Sequence, residues 1–168
     1  MVHIYAFYVI TVNMEGPAMD SDLILASAHH LAVFTLVAIF AAEFALVRPG
    51  LHGARLNQLA RIDAAYGAMA GIVIAVGILR VIFGAVGYEY YIANQAFWGK
   101  MAAFLVVGLL TIPPTIAFRR WAKAGERDNN YQPPAGEIAA SRRFIHLQAG
   151  VLFLIPIFAA AMARGYGS

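Results

Sequence analysis

Two adjacent histidines, His29 and His30, an arginine, Arg80, and a lysine, Lys100, stand inside otherwise apolar stretches of this chain. Imidazole is both a proton carrier near neutrality and a metal ligand, while guanidinium and ammonium groups hold carboxylates and phosphates. Inside a hydrocarbon layer each such group costs ~2.5–3.5 kcal/mol on insertion scales, so each needs a partner or a ligand. Tyr66 shares a helix face with Arg80 at 14-residue spacing, and Trp98 lies just before Lys100. His29, His30, Arg80, Lys100, Tyr66 and Trp98 are therefore the candidate cofactor-binding residues. The chemistry they fit is a pocket whose cations hold an anionic group, such as the propionates of haem b, or a quinone head. His29 or His30 then serves as iron ligand or proton carrier. Adjacent residues point about 100° apart on a helix, so only one of the two faces a given pocket squarely. The plainer alternative is that Arg80 and Lys100 snorkel to headgroups and the histidines bond to backbone carbonyls.

A second polar layer comprises Glu43, Asp63, Tyr66, Arg143 and His146. Glu43 is the deepest carboxylate, and its neutralisation by His146 or an arginine is expected rather than a proton-relay role. Asp63 and Arg143 read as residues near loops, where solvated bridges contribute little, and Asp63 and Asp128 as cap or loop residues. His146 belongs to a different depth from His29 and His30, so the three do not share one bis-histidine haem. Zinc and copper sites want three or four converging ligands, which the histidine pair does not supply. Cysteine is absent, excluding disulfides, thiolate metal sites and covalent haem attachment. No phosphate-binding glycine loop, hydrolase elbow or metalloprotease motif is present.

These residues need elements that cross a membrane to position them. Of 168 residues 61% are hydrophobic and only 12% charged, with a mean hydropathy of +0.69, against about 45–50% apolar and 25% charged in soluble domains. Four windows, 22–47, 59–85, 95–118 and 138–163, each meet the roughly 20 apolar residues that span a core about 30 Å thick. None alternates as a transmembrane strand does. The expected fold is all-α: an integral membrane four-helix bundle, up-down, with both termini outside. Lys and Arg concentrate in the connections that hold Arg48, Arg55 and Arg61, and Arg119, Arg120, Lys123, Arg127, Arg142 and Arg143. Both connections are thus cytoplasmic, and the stretch 86–94, without Lys or Arg, is external. This puts His29 and His30 roughly 10 Å below the outer edge at 1.5 Å per residue, with Arg80 and Lys100 in the same outer-leaflet layer. Tyr88, Tyr90, Tyr91 and Trp98 form an outer interfacial belt, and Trp121 marks the inner interface. Gly67 and Gly71 make a GxxxG for close helix approach. Pro113, Pro114 and Pro156 remove helical hydrogen bonds and should kink two helices. The net charge of +3 follows membrane topology and not nucleic-acid binding. Residues 1–18 read as an N-terminal arm or gene-model extension, without the features of a cleaved signal peptide, and 19–168 as the four-helix domain.

Ala28-His29-His30-Leu31, Arg48-Pro49, Arg61-Ile62-Asp63-Ala64-Ala65-Tyr66-Gly67, Gly77-Ile78-Leu79-Arg80 and Phe97-Trp98-Gly99-Lys100 together resemble a bacterial membrane-protein family known only as a domain of unknown function. The likeness spans about residues 20–160. The layout is more distantly similar to the HemJ-type protoporphyrinogen oxidases and the CopD-like copper-resistance proteins. The HemJ-type resemblance implies haem b on a first-helix histidine, here His29 or His30, with Arg61 the nearest counterpart of a further basic residue. The function expected is that of a bacterial inner-membrane protein with an outer-leaflet pocket for haem b or a quinone in a redox role. The alternative is a non-enzymatic membrane subunit or small-solute permeation protein. Its partners are the lipid bilayer and a second copy or another membrane protein.

Overall fold

The computed structural model describes residues 17–84 and 87–167. The expected N-terminal arm lies, except for its last two positions, outside the described residues. The chain is helical: α1, Pro17–Leu46; α2, Ala54–Phe83; α3, Tyr88–Ala93; α4, Gln95–Arg127; α5, Ala135–Leu152; and α6, Leu154–Ala163. No strand occurs among the described residues. Four helical stretches are long and apolar enough to cross a membrane, the fourth being α5 and α6 in succession. Packing follows chain order: α1 lies on α2, α2 on α4, and α4 on both α5 and α6.

The expected windows find the spans and misplace several ends. α1 begins at Pro17 rather than at Asp22, with proline in the first turn, where its missing N–H costs nothing. α4 runs through Pro113 and Pro114 and nine residues past Phe118. At 1.5 Å per residue its 33 residues reach about 50 Å, well beyond a hydrocarbon core of about 30 Å. The extension holds because Phe118 and Trp121 are wholly buried and stack at 5.4 Å, so charged Arg119, Arg120 and Lys123 ride on an anchored inner face. Trp121 is thus a core residue and not an interfacial marker; its indole N–H donates to Glu137 Oε2 at 2.7 Å. The fourth span breaks at Phe153. Pro156 has no N–H to give the Leu152 carbonyl, and its ring crowds that oxygen, which interrupts the ladder one turn earlier.

The two ends of the bundle differ in kind. At one end the basic connections meet: Arg142 Nη1 donates to the Val47 carbonyl at 2.7 Å, tying α5 to the exit of α1, and Arg120 pairs with Glu137 at 2.6 Å on the surface. At the other end the chain folds back on itself. Asn94, fully buried, caps α4 by accepting from the Ala96 and Phe97 amides. Its Nδ2 donates to the Tyr166 carbonyl, the Gln95 amide to the Gly167 carbonyl at 2.7 Å, and the Tyr90 hydroxyl to the Met162 carbonyl. Tyr88 and Trp98 face outward, as the interfacial belt requires, whereas Tyr91 is buried.

Close helix approach lies away from the GxxxG. A Cβ on Gly67 or Gly71 would meet nothing within 4 Å, whereas one on Gly99 would lie 2.8 Å from the Phe158 ring and one on Gly125 2.8 Å from Leu56. Gly67 and Gly71 are on the lipid-facing side of α2, beside exposed Ile72, Ile74 and Ile78. Gly99→Leu should therefore lower the thermal midpoint in detergent, overpacking costing about 1–3 kcal/mol, while Gly67→Leu and Gly71→Leu leave it unchanged. Reporter fusions in the connections at His52 and Asn129 should register as cytoplasmic and one at Ala93 as external. An external signal at either basic connection reverses the orientation.

Candidate functional site

The cluster expected in the outer leaflet draws on three helices. His29 lies about three turns into α1, half-buried, with its Nδ1 buried and without a hydrogen-bond partner. The ring rests on α2, its Cε1 at 3.4 Å from the position of a Gly77 Cβ, so a glycine on α2 makes room for the imidazole. Arg80, one turn beyond Gly77, carries a buried Nε that is also without a partner. Lys100, in the second turn of α4, sets its Nζ 5.5 Å from the Phe97 ring centroid, a cation–π contact. Arg80 and Lys100 both lie within electrostatic reach of His29, and neither has a carboxylate at ion-pair distance among the described residues. A cation on a side chain, a second cation and an unpaired ring nitrogen in one apolar layer leave donors in excess over acceptors.

His30 separates from this group. It faces outward, exposed, and its Nδ1 bonds the Ala26 carbonyl one turn back at 2.7 Å. Of the two histidines, only His29 turns into the bundle. Trp98 is exposed on the lipid side, its indole N–H donating to the Ile92 carbonyl at 3.0 Å. Tyr66 joins the other layer. Arg61, exposed near the start of α2, stands at the basic end and not beside His29.

The inner layer is more deeply enclosed. Glu43, Asp63, Tyr66 and Gln148 are each at most 3% exposed. Gln148 Nε2 donates to the Tyr66 hydroxyl at 2.8 Å and to Thr111 Oγ1 at 3.0 Å, joining α5 to α2 and α4 in one residue. The Thr111 hydroxyl itself donates to the Val107 carbonyl. Thr115 donates to Asp63 Oδ1 at 2.6 Å, so Asp63 is a buried residue bonded across helices and not a loop or cap carboxylate. The expected neutralisation of Glu43 is not found. His146 instead bonds the Arg142 carbonyl and stacks its ring on Phe44 at 4.9 Å, and Glu43 Oε2 has no hydrogen-bond partner. Arg143 lies exposed on α5. Gln148 and Thr115 were not among the sequence candidates. Thr and Gln in an apolar span carry no charge to flag them; for Thr115 the signal that remained was its place one turn beyond Thr111 on α4, and for Gln148 there was none.

No group of three or more His, Cys, Asp or Glu side chains converges as a metal site among the described residues. The donor set of the outer cluster suits acceptor oxygens rather than a bare metal ion. The sequence matches one family model, described as a predicted membrane protein, over residues 21–167. No curated protein and no solved structure matches it, so the more distant likeness to HemJ-type and CopD-like proteins rests on the sequence motifs alone.

The Gln148 bridge gives a direct test of the inner layer. Gln148→Leu leaves the buried Tyr66 hydroxyl without its donor and should destabilise the protein by about 1–2 kcal/mol, in the range for interhelical hydrogen bonds and stranded polar groups. Tyr66→Phe together with Gln148→Leu removes both ends and should recover part of that loss. A loss in the double variant equal to the sum of the losses in Tyr66→Phe and Gln148→Leu, each followed by thermal denaturation in detergent, would show that the pair is not coupled.

Proposed function

The chain belongs to the DUF2214 family of predicted membrane proteins, and from that footing we propose that it is a bacterial inner-membrane protein that holds a redox cofactor by acceptor oxygens at its outer-leaflet cluster. The oxygens are the carbonyls of a quinone or the propionates of haem b. The observation that carries this reading is that His29 Nδ1 and Arg80 Nε are both buried and unpartnered in a layer that also holds Lys100, while Asp22, whose Oδ1 lies against Gly84 one turn beyond Arg80, makes no ion pair with either cation among the described residues. A buried polar atom without a partner costs about 1–3 kcal/mol; an acceptor oxygen from a ligand removes that cost at Arg80 Nε, and at His29 Nδ1 in the tautomer that protonates it.

The roles divide by chemistry. Arg80 offers a planar fork of N–H donors suited to a carboxylate or a polarised carbonyl. Lys100 adds a point charge, kept on the inward side by its contact with Phe97. His29, seated on Gly77, presents the nitrogen that donates to a quinone oxygen or ligates haem iron. The surrounding apolar side chains keep water out, which strengthens each of these interactions. Bound there, either group supplies one-electron chemistry that no side chain of this cysteine-free protein provides.

Purification after haem-replete expression, with an absorption spectrum and an organic extract, separates the sources. A Soret band lost in His29→Ala and retained in His30→Ala identifies haem b; a quinone in the extract of a colourless protein identifies the other. In either case Arg80→Ala and Lys100→Ala should each weaken retention by about tenfold or more, as loss of a charge-assisted hydrogen bond predicts. A colourless protein that contains no quinone and takes up neither added haem nor added quinone overturns the proposal. A non-enzymatic subunit or a small-solute permeation protein would then be the better reading.

A further inference from the structure

The inner layer holds a group that the outer cluster does not use. Glu43 is 2% exposed, lies nearly six turns beyond Asp22 in the last turn of α1, and has an oxygen with no hydrogen-bond partner. A partnerless carboxylate in such a place would cost several kcal/mol, far more than a neutral carboxylic acid there. Its neighbours do not change that balance. From α2 the facing groups are Asp63, a second carboxyl within electrostatic reach, and Tyr66, whose ring packs on Phe40 at 5.7 Å. From α4 come the hydroxyls of Thr111 and Thr115, both already donating elsewhere, and Arg119, which acts on Asp63. From α5 come Gln148, whose amide is spent on Tyr66 and Thr111, His146, held to Arg142, and Arg142, held to Val47. Arg119 is thus directed to Asp63 and Arg142 to the Val47 carbonyl, and Glu43 makes no ion pair among the described residues.

We propose that Glu43 is a reversible proton-binding site, loaded from the basic end of the bundle. The step is a simple transfer: a proton moves from water to the Glu43 carboxylate, forming its O–H bond, and the net charge of the Glu43 and Asp63 pair falls from −2 to −1. Asp63 Oδ1 accepts from Thr115 whereas Glu43 Oε2 has no donor, so the proton goes to the carboxyl oxygen that lacks one. Two grooves at that end open beside Glu43's neighbour in the chain and not on Glu43 itself. Phe44, the next residue after Glu43, stacks on His146, and His146 lines an open groove of about 890 Å³ at the basic end, with Arg142, Arg143 and Pro49. Phe44 itself borders a second groove with Arg48 and Arg142. This site is independent of the cofactor reading: it sits in the other leaflet and shares no residue with His29, Arg80 or Lys100.

Infrared difference spectroscopy of the full chain in lipid nanodiscs tests it. At neutral pH the protein should show the carbonyl stretch of a protonated carboxyl, displaced by ¹³C-glutamate labelling, absent in Glu43→Gln and retained in Asp63→Asn. The band should disappear reversibly as the pH is raised, equally in sodium chloride and in choline chloride. The labelling result requires no substitution, so misfolding of a variant does not obscure it. The proposal is overturned by any of four outcomes: no such band at neutral pH, a band unaffected by labelling or by Glu43→Gln, a band that never titrates, or one removed by sodium ions at constant pH. The last would identify a cation site instead.

Discussion

In hydrocarbon there is no water to satisfy a polar group and little hydrophobic force to hold one helix to the next, so a bundle of this kind depends on where its few internal hydrogen bonds fall. Gln148 is the point at which three spans meet. Its amide reaches Tyr66 on α2 and Thr111 on α4 while its own backbone belongs to α5. Rotating α5 by one residue, about 100°, would strand the Gln148 amide and take from the Tyr66 hydroxyl its donor, leaving Thr111 only its bond to Val107. The register of the bundle is therefore fixed by a neutral side chain, and the apolar contacts around it fill space that this junction has already defined.

Charge is arranged on either side of that junction in opposite senses. Toward one face of the membrane the layer holds cations and an unpaired imidazole nitrogen; toward the other it holds two carboxyls, one accepting from Thr115 and one with an oxygen, Glu43 Oε2, that has no partner. Each layer is unbalanced by itself, and the tyrosine, threonine and glutamine between them keep the two apart. A protein optimised only for stability would replace such groups by apolar residues of similar volume.

The spans, the absence of strands and the layering of the ionisable residues were legible from the sequence, because hydropathy and the 3.6-residue repeat report directly on membrane-crossing helices. What was not legible depended on rotation and on partners. Whether His29 or His30 faces inward is a difference of 100° that no composition rule decides; the contact with Gly77 decides it. Trp121 reads as an interfacial anchor until α4 is known to continue past Phe118 and bury it. The Gly67 and Gly71 pair has the right spacing for close packing, yet spacing alone does not say which face of α2 meets another helix. The pairing expected for Glu43 failed because His146 spends its ring nitrogen on its own helix.

The contacts that close the outer end of α4 have a consequence for how the protein is made. Asn94 and Tyr90 take their partners from residues 72 positions later in the chain. At about 5–20 residues per second of synthesis, that is roughly 4–14 s during which the start of α4 stands in the translocation machinery with part of its cap unmet. The third span must be inserted and held by its own apolar length, and the outer end of the bundle is locked only when the last helix arrives. Membrane insertion and final closure are thus separate events in time, and a chain arrested between them would be fully inserted but open at the face where the basic cluster lies.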